Sequence, residues 1–215
     1  MKQYKNYIAE LTGTFILVFC GTGAVTVDEI TNGAVSHVGI AVTFGLVVMS
    51  VIYAFGEQSG AHLNPAVTIA FYVNKSFPLK EVLPYIISQV IGALLASLLL
   101  FSLFPTSAFL GSTLPEGSDM QSFILEIILT FFLMLVILRV ATGSKEQGLF
   151  AGIAIGSVVL LEAMFAGPIC GASMNPARSL APAIVSGHIE HLWIYLSAPV
   201  IGALLAVILH KLIKP

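Results

Sequence analysis

Six stretches of the chain are apolar for roughly 20 residues, the length a helix needs to cross the hydrocarbon core of a bilayer. They run over about 7–27, 35–55, 82–103, 121–142, 148–166 and 192–213. Soluble domains carry about 25% charged residues. Here the share is 9%, with a mean hydropathy of +0.98, so the solvent for most of this surface is lipid. In lipid every backbone polar group must be satisfied within its own segment or at a protein-lined cavity. The expected fold class is an all-α membrane protein, one domain over residues 1–215 built on six transmembrane helices. The first run follows Lys2 and Lys5 as a secretory leader would. It is longer than an h-region of about 7–15 residues and contains Glu10, so it reads as a retained helix.

Orientation follows from the cations, because short cytoplasmic loops accumulate Lys and Arg. Of the nine Lys and Arg residues, eight (Lys2, Lys5, Lys75, Lys80, Arg139, Lys145, Lys211 and Lys214) fall on one side of a six-span chain. Both termini are therefore assigned to the cytoplasm, with multi-pass insertion in the cell membrane. The ninth cation, Arg178, lies in an apolar region. Cys20 and Cys170 are the two cysteines, and neither belongs to a disulfide framework or a zinc-type spacing. No basic patch suggests nucleic acid.

The chain repeats itself about 110 residues apart. Glu10-x-x-x-Thr14-Phe15 recurs as Glu126-x-x-x-Thr130-Phe131, and Gly60-Ala61-His62-Leu63-Asn64-Pro65-Ala66 as Gly171-Ala172-Ser173-Met174-Asn175-Pro176-Ala177. Val90-Ile91-Gly92-Ala93-Leu94-Leu95-Ala96 returns as Val200-Ile201-Gly202-Ala203-Leu204-Leu205-Ala206, where small residues suit close helix packing. Each half holds three spans, an odd number, so the halves enter the membrane from opposite sides as an inverted repeat. The first repeat is expected over 1–104 and the second over 118–215, joined by an extracellular linker over about 104–120.

The apolar run that follows each Asn-Pro-Ala triplet is too short to span. Asn is a good N-cap and Pro is favoured in the first helical turn, so each triplet should open a re-entrant half-helix. The second span is expected to end before Gly56, with a glycine-rich approach leading to the triplet. Irregular backbone at membrane depth is tolerated where it lines a cavity, so carbonyls of Gly60, Ala61, His62, Gly171 and Ser173 should face a pore. Inversion brings the half-helices together N-terminus to N-terminus, and each such end carries about half a positive charge. Two of them at one constriction repel cations and protons. Asn64 and Asn175 can cap with their oxygens and keep NH₂ donors for the lumen.

Arg178, one turn after Asn175, needs carbonyl or water partners, since a charge at membrane depth costs at least about 2.5 kcal/mol. Glu10 and Glu126, one per half, are placed to support the re-entrant loops through backbone N–H groups. Glu162 has no counterpart in the first half and is expected to point away from the lumen. His62 reads as a hydrogen-bonded loop residue or, alternatively, a pH-sensitive gate. His37, His188, His191 and His210 read as interfacial. No nucleophile, base and orienter constellation and no metal-ligand cluster emerges, so the chain is not expected to be an enzyme.

The triplets, their Gly-Ala-His-Leu and Gly-Ala-Ser-Met contexts, and the Glu-x-x-x-Thr-Phe repeat resemble the aquaporin (major intrinsic protein) family over essentially the whole chain. The wording of residues 39–49 and 166–173 is most similar to the nodulin-like branch and its bacterial relatives. The resemblance implies six spans plus two half-helices, a homotetramer with one pore per subunit, and passive flow of water and small neutral solutes without a cofactor. It also implies a selectivity filter of Phe44, Ala163, Ala172 and Arg178. Water-only members of the family usually have His where this chain has Ala163, a change that widens the filter. Glycerol facilitators typically follow the Arg with Asp, where this chain has Ser179, and the nodulin-like branch usually has Trp where Phe44 stands. Two readings follow: a channel for water and small uncharged solutes, or a facilitator mainly for glycerol or metalloid hydroxides such as boric acid and arsenite. An ion-coupled transporter, which also uses inverted repeats and half-helices, is the contrasting class.

Overall fold

The computed structural model describes residues 2–141 and 148–213; Lys145 and Lys214, which enter the orientation argument, lie outside the described residues. The described residues form α1 (Lys2–Ile30), α2 (Ser36–Ser59), α3 (Pro65–Val73), α4 (Leu79–Leu103), α5 (Asp119–Ala141), α6 (Ala151–Cys170), α7 (Pro176–Ser186) and α8 (Leu192–Ile213). Six of these helices are long and apolar enough to cross a membrane. The other two, α3 and α7, have nine and eleven residues.

Helix α4 shows how these sequences suit lipid. Leu79, Leu83, Ile87, Ile91, Leu95 and Leu98 form an exposed stripe at i, i+4 and i, i+3 spacing, whereas Ser88, Gln89, Gly92, Ala93, Ala96 and Ser97 are buried. Large apolar residues point out and small or polar ones point in. That inversion of the soluble pattern is stable only where the outside is hydrocarbon.

The small residues allow backbones to touch. A Cβ on Gly92 would meet the Leu11 carbonyl and the Phe15 amide of α1, and one on Gly202 the Ile127 carbonyl and the Phe131 amide of α5. The Gly-Ala-Leu-Leu-Ala segment of each half thus packs on the Glu-x-x-x-Thr-Phe segment of the same half. Gly45 on α2 and Gly156 on α6 meet reciprocally, each facing the other's carbonyl. Gly202→Val is expected to lower stability by about 3 kcal/mol through overpacking. A lower midpoint of thermal unfolding in detergent checks this, and an unchanged midpoint would refute the contact.

Two helix ends differ from the sequence expectation. Helix α2 continues through Gly56 to Ser59, and α6 continues through Gly167 and Pro168 to Cys170. The stop signals are Gly60 (φ 86°) and Gly171 (φ 81°), left-handed residues whose N–H groups return to the carbonyls of Gly56 and Gly167. A left-handed residue with an N–H bonded back is a common helix terminator. The earlier glycines sit on helix surfaces and break nothing.

Each half-helix is gripped by both halves of the chain. α3 packs on α4 and α8, and α7 packs on α4 and α8. The linker after α4 is tied down, with the Glu29 carboxylate accepting from Ser107 Oγ at 2.6 Å and Ala108 N at 2.8 Å. Further on, Glu116 N donates to the Ile169 carbonyl at 3.0 Å.

Candidate functional site

Asn64 and Asn175 open α3 and α7 from extended backbone conformations. The Asn64 Oδ1 accepts from Ala66 N at 2.9 Å, and the Asn175 Oδ1 from Ala177 N at 3.0 Å and Arg178 N at 3.4 Å. Pro65 and Pro176 occupy the first turns, where no N–H is missed. Each asparagine amide also reaches across to the other loop. Asn64 Nδ2 donates to the Met174 carbonyl at 2.7 Å, and Asn175 Nδ2 to the Leu63 carbonyl at 2.8 Å. The two helix N-termini are therefore locked together. One N–H of each amide is spent on the lock, so a single N–H per amide, rather than the whole NH₂, remains to serve the lumen.

The loops before the triplets hold an unusual backbone. Ala61 (φ 45°), Leu63 (φ 54°), Ala172 (φ 40°) and Met174 (φ 53°) are all left-handed, a conformation that costs non-glycine residues about 1–3 kcal/mol each. Two buried carboxylates hold it in place. Glu10 accepts from His62 N (2.9 Å), Leu63 N (2.8 Å), Ser59 Oγ (2.8 Å) and Gln89 Nε2 (2.8 Å). Glu126 accepts from Ser173 N at 2.7 Å and Met174 N at 2.8 Å.

The two loops border a cavity of about 470 Å³. Its lining includes Gly60, Ala61, His62, Asn64, Ala172, Ser173, Asn175 and Arg178, together with Phe44 and Ala163. Opposite the loops the wall is apolar, with Leu17, Val48, Ile52, Leu133, Ile137 and Val159. Gly171 is absent from this lining; its Cα packs against Thr113, where a Cβ would lie 3.0 Å from Cγ2. Leu63 and Met174, which sequence reasoning passed over as ordinary apolar residues, line the cavity instead.

Arg178 is 4% exposed. Its Nη1–H donates to the Gly111 carbonyl at 2.8 Å, and its guanidinium carbon lies 5.0 Å from the centre of the Phe44 ring. Among the described residues its Nε–H finds no acceptor. Gly111 comes from the linker, which the sequence marked only as a connection. It is left-handed (φ 69°), and a Cβ there would lie 2.8 Å from the Thr22 carbonyl. Only glycine lets the linker settle deeply enough to present that carbonyl.

His62 and Ser173 occupy matching places. The His62 Nδ1 lies 3.2 Å from Thr68 Oγ1, and the ring packs against Phe71, Phe77 and Tyr85 at 4.7, 4.8 and 5.1 Å between centroids. Thr68 donates its own hydrogen to the Asn64 carbonyl at 3.0 Å, so Nδ1 is the donor. The ring is packed among these aromatics, and His62 is 9% exposed where it lines the cavity. In the second half Ser173 Oγ bonds to the Asn175 carbonyl at 3.0 Å and to Ser179 Oγ. Ser179 is fully buried, accepts from Thr113 Oγ1 at 2.8 Å and lies outside the cavity lining. Ser179 thus holds the first turn of α7 from behind the cavity wall.

Glu162 is fully buried outside the cavity lining. Among the described residues neither of its carboxyl oxygens has a hydrogen-bond partner. Two of the histidines read as interfacial make helix contacts. His210 is buried at 2% exposure in the small-residue packing of α8, and His37 bonds to the backbone of α6.

Six membrane-length helices, two half-helices bonded N-terminus to N-terminus and a cavity lined by the loops that precede them define a multi-pass membrane channel. The comparisons with known proteins agree. The profile of the family described as major intrinsic protein matches residues 1–210, and the chain belongs to that family. It is 46% identical over 211 residues to "Aquaporin NIP1-1" of Zea mays, covering 98% of this chain and 75% of that protein. It is 46% identical over 212 residues to "Nodulin-26" of Glycine max, covering 98% and 78%. Among solved structures it superposes on the aquaglyceroporin from Plasmodium falciparum with a TM-score of 0.88 at 26% identity, covering 98% and 96% of the two chains. The protein is a channel for water and small solutes, and the nodulin-like likeness read from residues 39–49 and 166–173 holds over nearly the whole chain. The family is one of channels, not of enzymes.

Proposed function

We propose that Phe44, Ala163, Ala172 and Arg178 form the selectivity filter at the extracellular end of the pore, and that Asn64 and Asn175 mark its centre. The observation that carries this reading is the Arg178 guanidinium lying over the Phe44 ring at the wall of a cavity that Ala163 and Ala172 also line. A guanidinium held by the Gly111 carbonyl at the cavity wall replaces part of a neutral solute's hydration and repels cations. The carbonyls of Gly60, Ala61, His62 and Ser173 continue as acceptors along one wall. Water moves down that wall, and the single free N–H of each asparagine turns its oxygen and interrupts a proton wire.

Ala163 supports the second reading. A methyl group in the filter leaves room beside Phe44, which favours passage of glycerol or a metalloid hydroxide along with water, in keeping with the likeness to an aquaglyceroporin structure. The halves 1–104 and 118–215 act as an inverted repeat in a cell-membrane homotetramer with both termini cytoplasmic. Flow is passive, without catalysis or cofactor. Stopped-flow shrinkage of proteoliposomes in sucrose, glycerol and boric acid separates the readings. Ala163→His is expected to lower glycerol flux about tenfold, a rise of about 1.4 kcal/mol in barrier height, while water flux falls less than about twofold. An equal fall in both would sink the filter assignment. Saturable, proton-dependent uptake would instead favour an ion-coupled transporter.

A further inference from the structure

Helix α6 carries Ala163 on the cavity wall and then passes through Pro168 before its end at Cys170. A proline inside a helix supplies no N–H, so the carbonyl four residues earlier loses its intrahelical donor. That carbonyl belongs to Met164, the residue directly after Ala163. In the first turn of α2, His37 Nε2 lies 2.6 Å from the Met164 oxygen. The partner is a pure acceptor, so Nε2 carries the hydrogen. The ring fits because residue 167 is glycine: a Cβ there would lie 3.1 Å from His37 Cε1. Phe44 follows His37 by seven residues, two helical turns along the same face of α2. Among the described residues this is the one side-chain hydrogen bond between α2 and α6.

We infer that His37 is a positioning residue for the filter, its Nε2–H standing in for the donor that Pro168 removes and so fixing the Ala163 wall of α6 against the Phe44 side of α2. The inference rests on the filter proposed above. Without the imidazole the Met164 carbonyl is left open at the proline, α6 is free to bend there, and both Ala163 and the loop beginning at Gly171 move with it.

The test uses the full chain in proteoliposomes, reading the ratio of glycerol to water permeability. His37→Ala is expected to change that ratio about two- to tenfold, the range of one net hydrogen bond. His37→Phe keeps a ring without the donor and should match it, which covers the case in which the alanine variant fails to insert. His37→Gln, whose amide can reach the same carbonyl, should restore the ratio. In a Pro168→Ala background the helix regains its own N–H, and adding His37→Ala should change the ratio by less than about 1.5-fold.

A second readout is infrared difference spectroscopy on protein labelled with carbonyl-¹³C methionine. The band should move to higher frequency in His37→Ala and stay put when the same change is made in Pro168→Ala. Equal permeability changes in both backgrounds, or no band shift in the first, would overturn the inference. A band shift with an unchanged ratio would overturn the positioning role too. If Ala163→His leaves selectivity unchanged while the double-mutant pattern holds, the filter reading fails and the hydrogen bond stands.

Discussion

Glu126→Ala is expected to abolish most of the protein's stability and reduce water flux per inserted molecule at least about tenfold. The carboxylate accepts two backbone N–H groups at 2.7 and 2.8 Å, and hydrogen bonds to a charged group contribute about 1.5–3 kcal/mol each. Removing it leaves two buried donors unpaired beside Ala172 and Met174, whose positive φ values already cost about 1–3 kcal/mol each. The sum of the lost bonds, about 3–6 kcal/mol, is comparable with the whole stability of many folded domains. The loop is then free to relax toward ordinary φ, which turns the Ser173 and Met174 carbonyls and releases the Asn64 bond to Met174 O. Glu126→Gln keeps one acceptor but aims an NH₂ at the other N–H, so an intermediate loss is expected. The readouts are the thermal midpoint in detergent and stopped-flow water flux normalised to inserted protein. Wild-type values for the alanine variant would show that the carboxylate does not hold the loop.

The parts of this architecture that were legible in the sequence are those whose cause is local. Six apolar runs announce six helices because hydrocarbon thickness sets their length, and Asn followed by Pro announces a helix start because cap and ring act within one turn. The supporting role of Glu10 and Glu126 was readable because a carboxylate inside an apolar helix must find donors, and the nearest unpaired ones lie in the loops. Helix ends were misplaced where glycine was taken as a breaker. Gly56 and Gly167 look like Gly60 and Gly171 in composition, but only the latter pair is left-handed. The same limit hid Leu63 and Met174, since nothing in either name reveals a left-handed backbone that a distant carboxylate imposes. Backbone acceptors leave no mark at all: the partner of Arg178 is a carbonyl in the linker. That of His37 is a carbonyl exposed by a proline four residues away.

Arg178→Val is expected to leave water flux within about twofold and to raise proton and potassium leak by about two orders of magnitude. The guanidinium carbon lies 5.0 Å from the centre of the Phe44 ring, so the two side chains share one stretch of cavity wall. A cation passing roughly 5 Å from the guanidinium would be repelled by about 3 kcal/mol at the effective dielectric of about 20 that suits protein sites, a factor of about 100 in partitioning. The other positive features are the N-termini of α3 and α7, each equivalent to about half a charge, and their first free donors are already occupied by Asn64 and Asn175 Oδ1. If those termini alone set the barrier, the valine variant will leak no more than wild type, and the filter role of Arg178 is refuted. The same variant separates charge from size. Valine also removes the Nε–H donor and leaves the Gly111 carbonyl without its partner, so glycerol flux should rise by less than the cation leak does. Potential-driven leak in potassium-loaded vesicles, read with a pH-sensitive dye beside the stopped-flow trace, measures both quantities on one preparation.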